Sequence, residues 1–214
     1  MAALCQEEGH TWTFCSEEIN GSLTLQRGPS TLGPMRQLFS KSTCAVVGDT
    51  EAMDAARYVA NLLLMTGHGQ MPLLLASEVL DTDGRLSPPS VCESLLVLGT
   101  GAYNAAVARL LQPLPHLGYE PPLSVEGEML GVGRCRWSGQ KLAALALLPW
   151  WSHGVQRLAL LATGPKFAEA LALLATPTIP PMTRQPLTHL LPDYVVLDVE
   201  ATRMRGAGFL GTIL

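Results

Sequence analysis

From residue 43 onward, short continuous apolar runs alternate with stretches whose apolar positions recur every three or four residues. "TCAVVGD" (43–49) predicts a strand, and "TEAMDAARYVANLLLMTG" (50–67) predicts a helix with Thr50 able to cap it, Glu51 in its positive first turn and Gly67 closing it. "MPLLLAS" (71–77) predicts a second strand, and the polar loop "DTDGRLSPPS" separates it from a third, "SLLVLG" (94–99). A helix over 102–112 follows and Pro113 stops it. The Gly- and Pro-punctuated stretch 117–139 predicts loop and short strands.

Two apolar runs, 141–150 and 156–164, then lie too close together for a crossover helix. An antiparallel pair or an edge reversal is expected there, with helix as the competing reading of so much Ala and Leu. Thr163 and Pro165 supply an N-cap and a first-turn proline for a helix over 166–176, which Pro177 ends, and "DYVVLDV" (193–199) predicts the last strand. Strands apolar on both faces, alternating with amphipathic helices, predict an α/β fold built as a three-layer, mostly parallel sheet of Rossmann-like or flavodoxin-like kind.

Residues 1–33 follow a different rule. The period-two alternation on both sides of Asn20-Gly21 predicts a hairpin, so a small N-terminal β arm and Gly/Pro hinge (1–33) should precede the α/β domain (34–214).

Composition narrows the function classes. The chain has 214 residues, enough to bury a core without staples, and is 48% hydrophobic with only 15% charged, which leaves it short of polar surface and predicts a covered apolar face. A net charge of −4 with scattered basic residues offers no field for a nucleic-acid backbone. The N-terminus lacks the pattern of a secretory signal, and the longest apolar run, 142–151, falls far short of a membrane span. Five widely spaced cysteines read as free buried thiols and favour a reducing, cytoplasmic setting; none forms a short-spaced metal-ligand pair with another cysteine or a histidine, so no metal is expected.

The stretch most like a ligand site is "GTGAYN", Gly99 to Asn104, together with the earlier strand end at Gly48 and Asp49. A helix N-terminus after a strand can hold an anion, and Gly48, Asp49, Gly99, Thr100, Gly101 and Asn104 are the candidate phosphate or nucleotide contacts. The dinucleotide fingerprint is incomplete, since Asn104 stands where its third glycine belongs, and a sharp strand-to-helix turn explains the glycines as well. No cofactor is implied. No G-x-S-x-G nucleophile elbow occurs; the five histidines (10, 68, 116, 153 and 189) have no acid-base partner nearby in sequence, and Asp49 and Asp193 fit capping or turn roles. Trp150 and Trp151, beside a turn, read as anchors of an interface or of the core ahead of a ligand platform.

Several pieces in order, "GPMRQLFSKSTCAVVGDT", "ARYVANLLLMTGHGQMPLLLASEV", "LLVLGTGAYN", "RLALLATG" and "LPDYVVLDVEATRMRGAGFLG", resemble the C-terminal α/β region of prolyl-oligopeptidase-like serine hydrolases. The closing stretch is similar to that family's signature at 192–196 and 206–209. The family's Ser-His-Asp machinery lies in its hydrolase domain, so the resemblance implies a non-catalytic accessory or interaction domain that docks on a hydrolase domain or on a second copy of itself. Two alternatives stand beside it: a fragment or subunit of a serine hydrolase (peptidase or esterase) whose catalytic domain lies elsewhere, and a small phosphate or nucleotide binder.

Overall fold

The computed structural model describes residues 3–7, 11–15, 38–39, 41–67, 69–115, 118–133, 135–152, 155–178 and 194–200. Two short strands, β1 (Ala3–Glu7) and β2 (Thr11–Cys15), pair antiparallel as a separate two-stranded sheet. The Asn20-Gly21 turn expected from the sequence lies outside the described residues.

The main sheet has six strands: β3 (Thr43–Val47), β4 (Leu73–Leu75), β5 (Ser94–Leu98), β9 (Leu142–Ser152), β10 (Val155–Thr163) and β11 (Tyr194–Asp198), in the order β11-β9-β10-β5-β3-β4. Pairing is parallel from β10 through β5 and β3 to β4, and β9 runs antiparallel to both neighbours. The sheet is therefore mixed and mostly parallel. Its strands are apolar along their central residues because both faces are covered there. Ala45 and Val47 enter one core with Leu96, Leu98, Leu145, Leu147 and Leu160, while Cys44 and Val46 enter the other with Leu95, Val97, Ala144, Leu148 and Leu161. The strand period of two divides the residues between the two faces.

Helix α1 (Thr50–Met65) covers the first face and presents Ala52, Ala56, Val59 and Leu63, the spacing of one helical stripe. It packs beside α4 (Phe167–Thr178). The short helices α2 (Ala76–Val79) and α3 (Ala105–Leu110) cover the second face. A separate three-stranded antiparallel sheet joins them there: β6 (Leu123–Glu126), β7 (Met129–Val132) and β8 (Cys135–Ser138). Among the described residues, no helix is long and apolar enough to cross a membrane.

Several sequence-based expectations need correction. Asp49, not Thr50, caps α1: its carboxylate accepts from the Ala52 N–H at 2.7 Å. The second strand keeps only three residues, because α2 begins at Ala76. The helix expected over 102–112 is six residues long, since residues 101–103 form a turn that Asn104 ends as N-cap. Thr163 is the last residue of β10 rather than a cap, and α4 begins at Phe167 after the turn at Gly164, whose φ of 98° is glycine's. The helical backbone runs one residue past Pro177. The two apolar runs do pair antiparallel, yet inside the sheet rather than at its edge, because β11 returns to cover β9.

The largest correction concerns the cysteines. Cys44 and Cys92 are joined, with Cα atoms 5.4 Å apart, and no described cysteine is free. Sequence separation hid the pair, which forms because β3 and β5 are parallel neighbours, with Cys44 opposite Leu95 and Cys92 just ahead of that strand. The ground for expecting a reducing compartment falls with the free thiols.

Candidate functional site

In an open α/β sheet, ligands gather at the carboxyl ends of the strands where successive connections leave in opposite directions. Here β3 connects through α1 outward to β4, and the chain then returns to β5 on the other side of β3. The switch point lies between β3 and β5. It is bordered by Gly48, Asp49, Gly99, Thr100, Gly101 and Asn104, so the fold brings all six sequence candidates to one end of the sheet.

The crevice is filled by the chain itself. Asn104 is fully buried, and its amide nitrogen donates to the Leu98 carbonyl at 2.8 Å and to the Val46 carbonyl at 3.2 Å, bracing the ends of both strands. Its amide oxygen accepts from the Ala106 N–H at 2.9 Å and so caps α3. Thr100 offers its carbonyl to the N–H groups of Tyr103 and Asn104, which folds the intervening turn down over the strand ends. Gly48 is where that turn lands: a Cβ there would sit 2.2 Å from the Tyr103 carbonyl oxygen and 2.8 Å from the Asn104 Cβ. Gly99, at φ 117°, bends the chain out of β5, whereas a Cβ on Gly101 would make ordinary contact with Ala108. The Ala52 and Ala106 amides, which an anion would need, are already held by Asp49 and Asn104.

The tryptophans lie at the opposite end of the sheet, where the parallel strands begin. Trp150 is 2% exposed, its indole N–H donates to the Leu158 carbonyl at 3.0 Å, and the Arg157 guanidinium lies 5.6 Å from the ring centre. Arg157 also donates to the Cys92 carbonyl at 2.9 Å, which ties this corner to the disulfide segment. Trp150 is thus a core anchor. Trp151 is half-buried, and its ring meets Tyr119 at 5.3 Å with planes tilted by 60°.

Around this pair opens a cleft of about 260 Å³, lined by Arg85, Arg109, Tyr119, Pro149, Trp150 and Trp151 among others. The tryptophan pair was visible in the sequence. Arg85, Arg109 and Tyr119 were not, since they are separated from it by 31 or more positions and carry no motif. A larger hollow of about 500 Å³ lies beside the turn at Gly67 and is lined, among the described residues, by one cation, Lys41, and by the uncharged polar residues Ser42, Thr43 and Gln70. The histidines and Asp193 lie outside the described residues.

Tyr119 carries a buried hydroxyl that makes no hydrogen bond among the described residues. Burial pushes its phenol well above the ordinary tyrosine range. Since an unpartnered buried hydroxyl costs more than it returns, Tyr119→Phe is expected to raise stability by about 1 kcal/mol in urea unfolding. The unfolded phenol ionises near pH 10.0 while the folded one keeps its proton, so wild-type stability falls as pH rises beyond that value. The phenylalanine variant should lose that part of the alkaline decline.

The chain matches no family model, no curated protein and no solved structure.

Proposed function

We propose that this chain is a non-catalytic accessory domain, a three-layer α/β unit of Rossmann-like or flavodoxin-like type akin to the C-terminal region of prolyl-oligopeptidase-like hydrolases, and that it acts by docking. The observation that carries this reading is the contrast between the two ends of the sheet. At the switch point, where an enzyme of this fold class places its chemistry, Asp49 and Asn104 are spent on capping and bracing, and the crevice is closed.

At the other end, apolar side chains stay in water. Val91 and Val155 are 56% and 54% exposed, on the lead-in to β5 and at the start of β10, and half-buried Trp151 stands across from Gln156 in the same hairpin. Leu64 and Met65, at the carboxyl end of α1, are exposed as well. Such apolar groups on a chain with few charges fit a surface that a hydrolase domain covers, and that a second copy covers when the hydrolase domain is missing.

Sedimentation velocity over a wide concentration range tests this. The isolated chain is expected to self-associate reversibly, and Val155→Asp, at an exposed position, should return it to a monomer without loss of stability. A concentration-independent monomer that binds no apolar dye would remove the docking reading. Turnover of p-nitrophenyl esters by the purified chain would overturn its non-catalytic part.

A further inference from the structure

We propose that the cleft bounded by Arg109, Arg85, Trp151 and Tyr119 is a binding site for a small aromatic carboxylate. Its charge is the first ground. Among the described residues, two guanidinium groups and no carboxylate line it, in a chain whose net charge is −4. Among the described residues Arg109 meets a neutral partner, donating to the Gln112 side-chain oxygen at 2.6 Å, which leaves most of its five N–H donors for a ligand. Arg85 has an ion pair with Asp83, but a long one at 3.8 Å between two well-exposed side chains, which a better-placed carboxylate would displace.

The walls set the rest of the ligand. Trp151 and Tyr119 hold each other in a tilted contact, and Trp150 behind them is fixed by its indole hydrogen bond and by Arg157. This is an aromatic surface whose orientation is set before any ligand arrives, the condition under which ring stacking adds affinity instead of costing order. A volume of about 260 Å³ lies just below the range of drug-sized ligand sites, which suits one ring or a fused pair and leaves little room for a nucleotide. A planar ring against Trp151 with its carboxylate on Arg109 satisfies both features, whereas inorganic phosphate would leave the aromatic wall unused and a neutral arene would leave the guanidinium unused.

Tryptophan fluorescence and calorimetric titration of the full chain test the proposal with phenylacetate as probe. Saturable binding is expected with a Kd of about 1 mM or tighter, a level reachable by a ligand of this size. 2-Phenylacetamide and inorganic phosphate should each bind at least ~10-fold more weakly, as expected when a charge-assisted bond or the stacking wall is lost. Arg109→Gln, a half-buried position whose change leaves the core intact, should weaken phenylacetate by a similar factor. N-acetyl-phenylalanine distinguishes the source of the carboxylate: binding as tight as phenylacetate assigns the site to a chain terminus, and much weaker binding assigns it to a free acid.

Equal binding of the amide, unchanged binding by Arg109→Gln, or no saturation by about 10 mM phenylacetate, where a site of the expected Kd is mostly filled, overturns the assignment. Because Trp151 borders both surfaces, the titrations are repeated on the Val155→Asp variant, which does not self-associate and in which phenylacetate should still bind with the same preference over the amide. The ligand site and the docking surface can therefore fail independently.

Discussion

Replacing Asn104 with alanine is expected to cost about 3 kcal/mol of folding stability. Three hydrogen bonds leave together: the donations to the Val46 and Leu98 carbonyls and the acceptance from the Ala106 N–H, all in a site with no exposure to water. Each is worth about 1 kcal/mol net, and the truncated amide adds a small void between β3 and β5. Asn104→Asp separates the two roles of the side chain. An aspartate caps a helix as well as an asparagine does, so if capping were all that mattered it would be close to neutral. A carboxylate cannot donate, however, and it would face two carbonyl oxygens 2.8 Å and 3.2 Å from the present amide nitrogen. The aspartate variant should therefore be at least as damaged as the alanine one at neutral pH, and urea denaturation of the pair measures the difference. An aspartate variant close to wild type would show that the cross-strand brace contributes nothing.

Asn104 also shows how far local sequence patterns reach. The alternation of "TCAVV", "SLLVL" and the later apolar runs with amphipathic segments is enough to foresee an α/β sheet, because a strand covered on both faces is apolar along most of its length. The antiparallel pairing of β9 with β10 followed from the short connection between them. By contrast, the helix expected over 102–112 shrinks to the six residues of α3, although the Ala- and Leu-rich stretch after Asn104 has helical composition up to Pro113. What halts it is tertiary: the turn at 101–103 is folded down onto Gly48, 53 or more residues earlier, and Asn104 is fixed by carbonyls of two strands at once. The glycines at 99 and 101 raised the question of a phosphate cradle, and the side chain that fills the crevice is the residue occupying the fingerprint's third glycine position. The cleft at the other end was half legible, through Trp150 and Trp151. Its cations were not, because Arg85 and Arg109 reach it from a loop and from the last turn of α3, and no local pattern marks a surface arginine as facing an aromatic wall.

The same blindness to long-range pairing hid the disulfide, and the second large effect lies there. Changing Cys44 and Cys92 together to alanine is expected to lower stability by about 4 kcal/mol, the chain-entropy value for opening a loop across their sequence separation of 48. For a domain of this size that is a fall in melting temperature of about 10 °C. Both sulfurs are fully buried in the core that also holds Val46, Leu95 and Val97, so reductant should leave the native bond intact until the domain opens. Reductant added to unfolded protein, followed by refolding under reducing conditions, should give a domain no more stable than the double variant. A chain made where thiols stay reduced would carry that penalty from the start, so the expected yield of folded protein is higher from an oxidising compartment. Alkylation of the unfolded but unreduced protein provides the direct check. Cys44 and Cys92 should be protected from the reagent, and their full labelling would mean that β3 and the lead-in to β5 are held by packing alone.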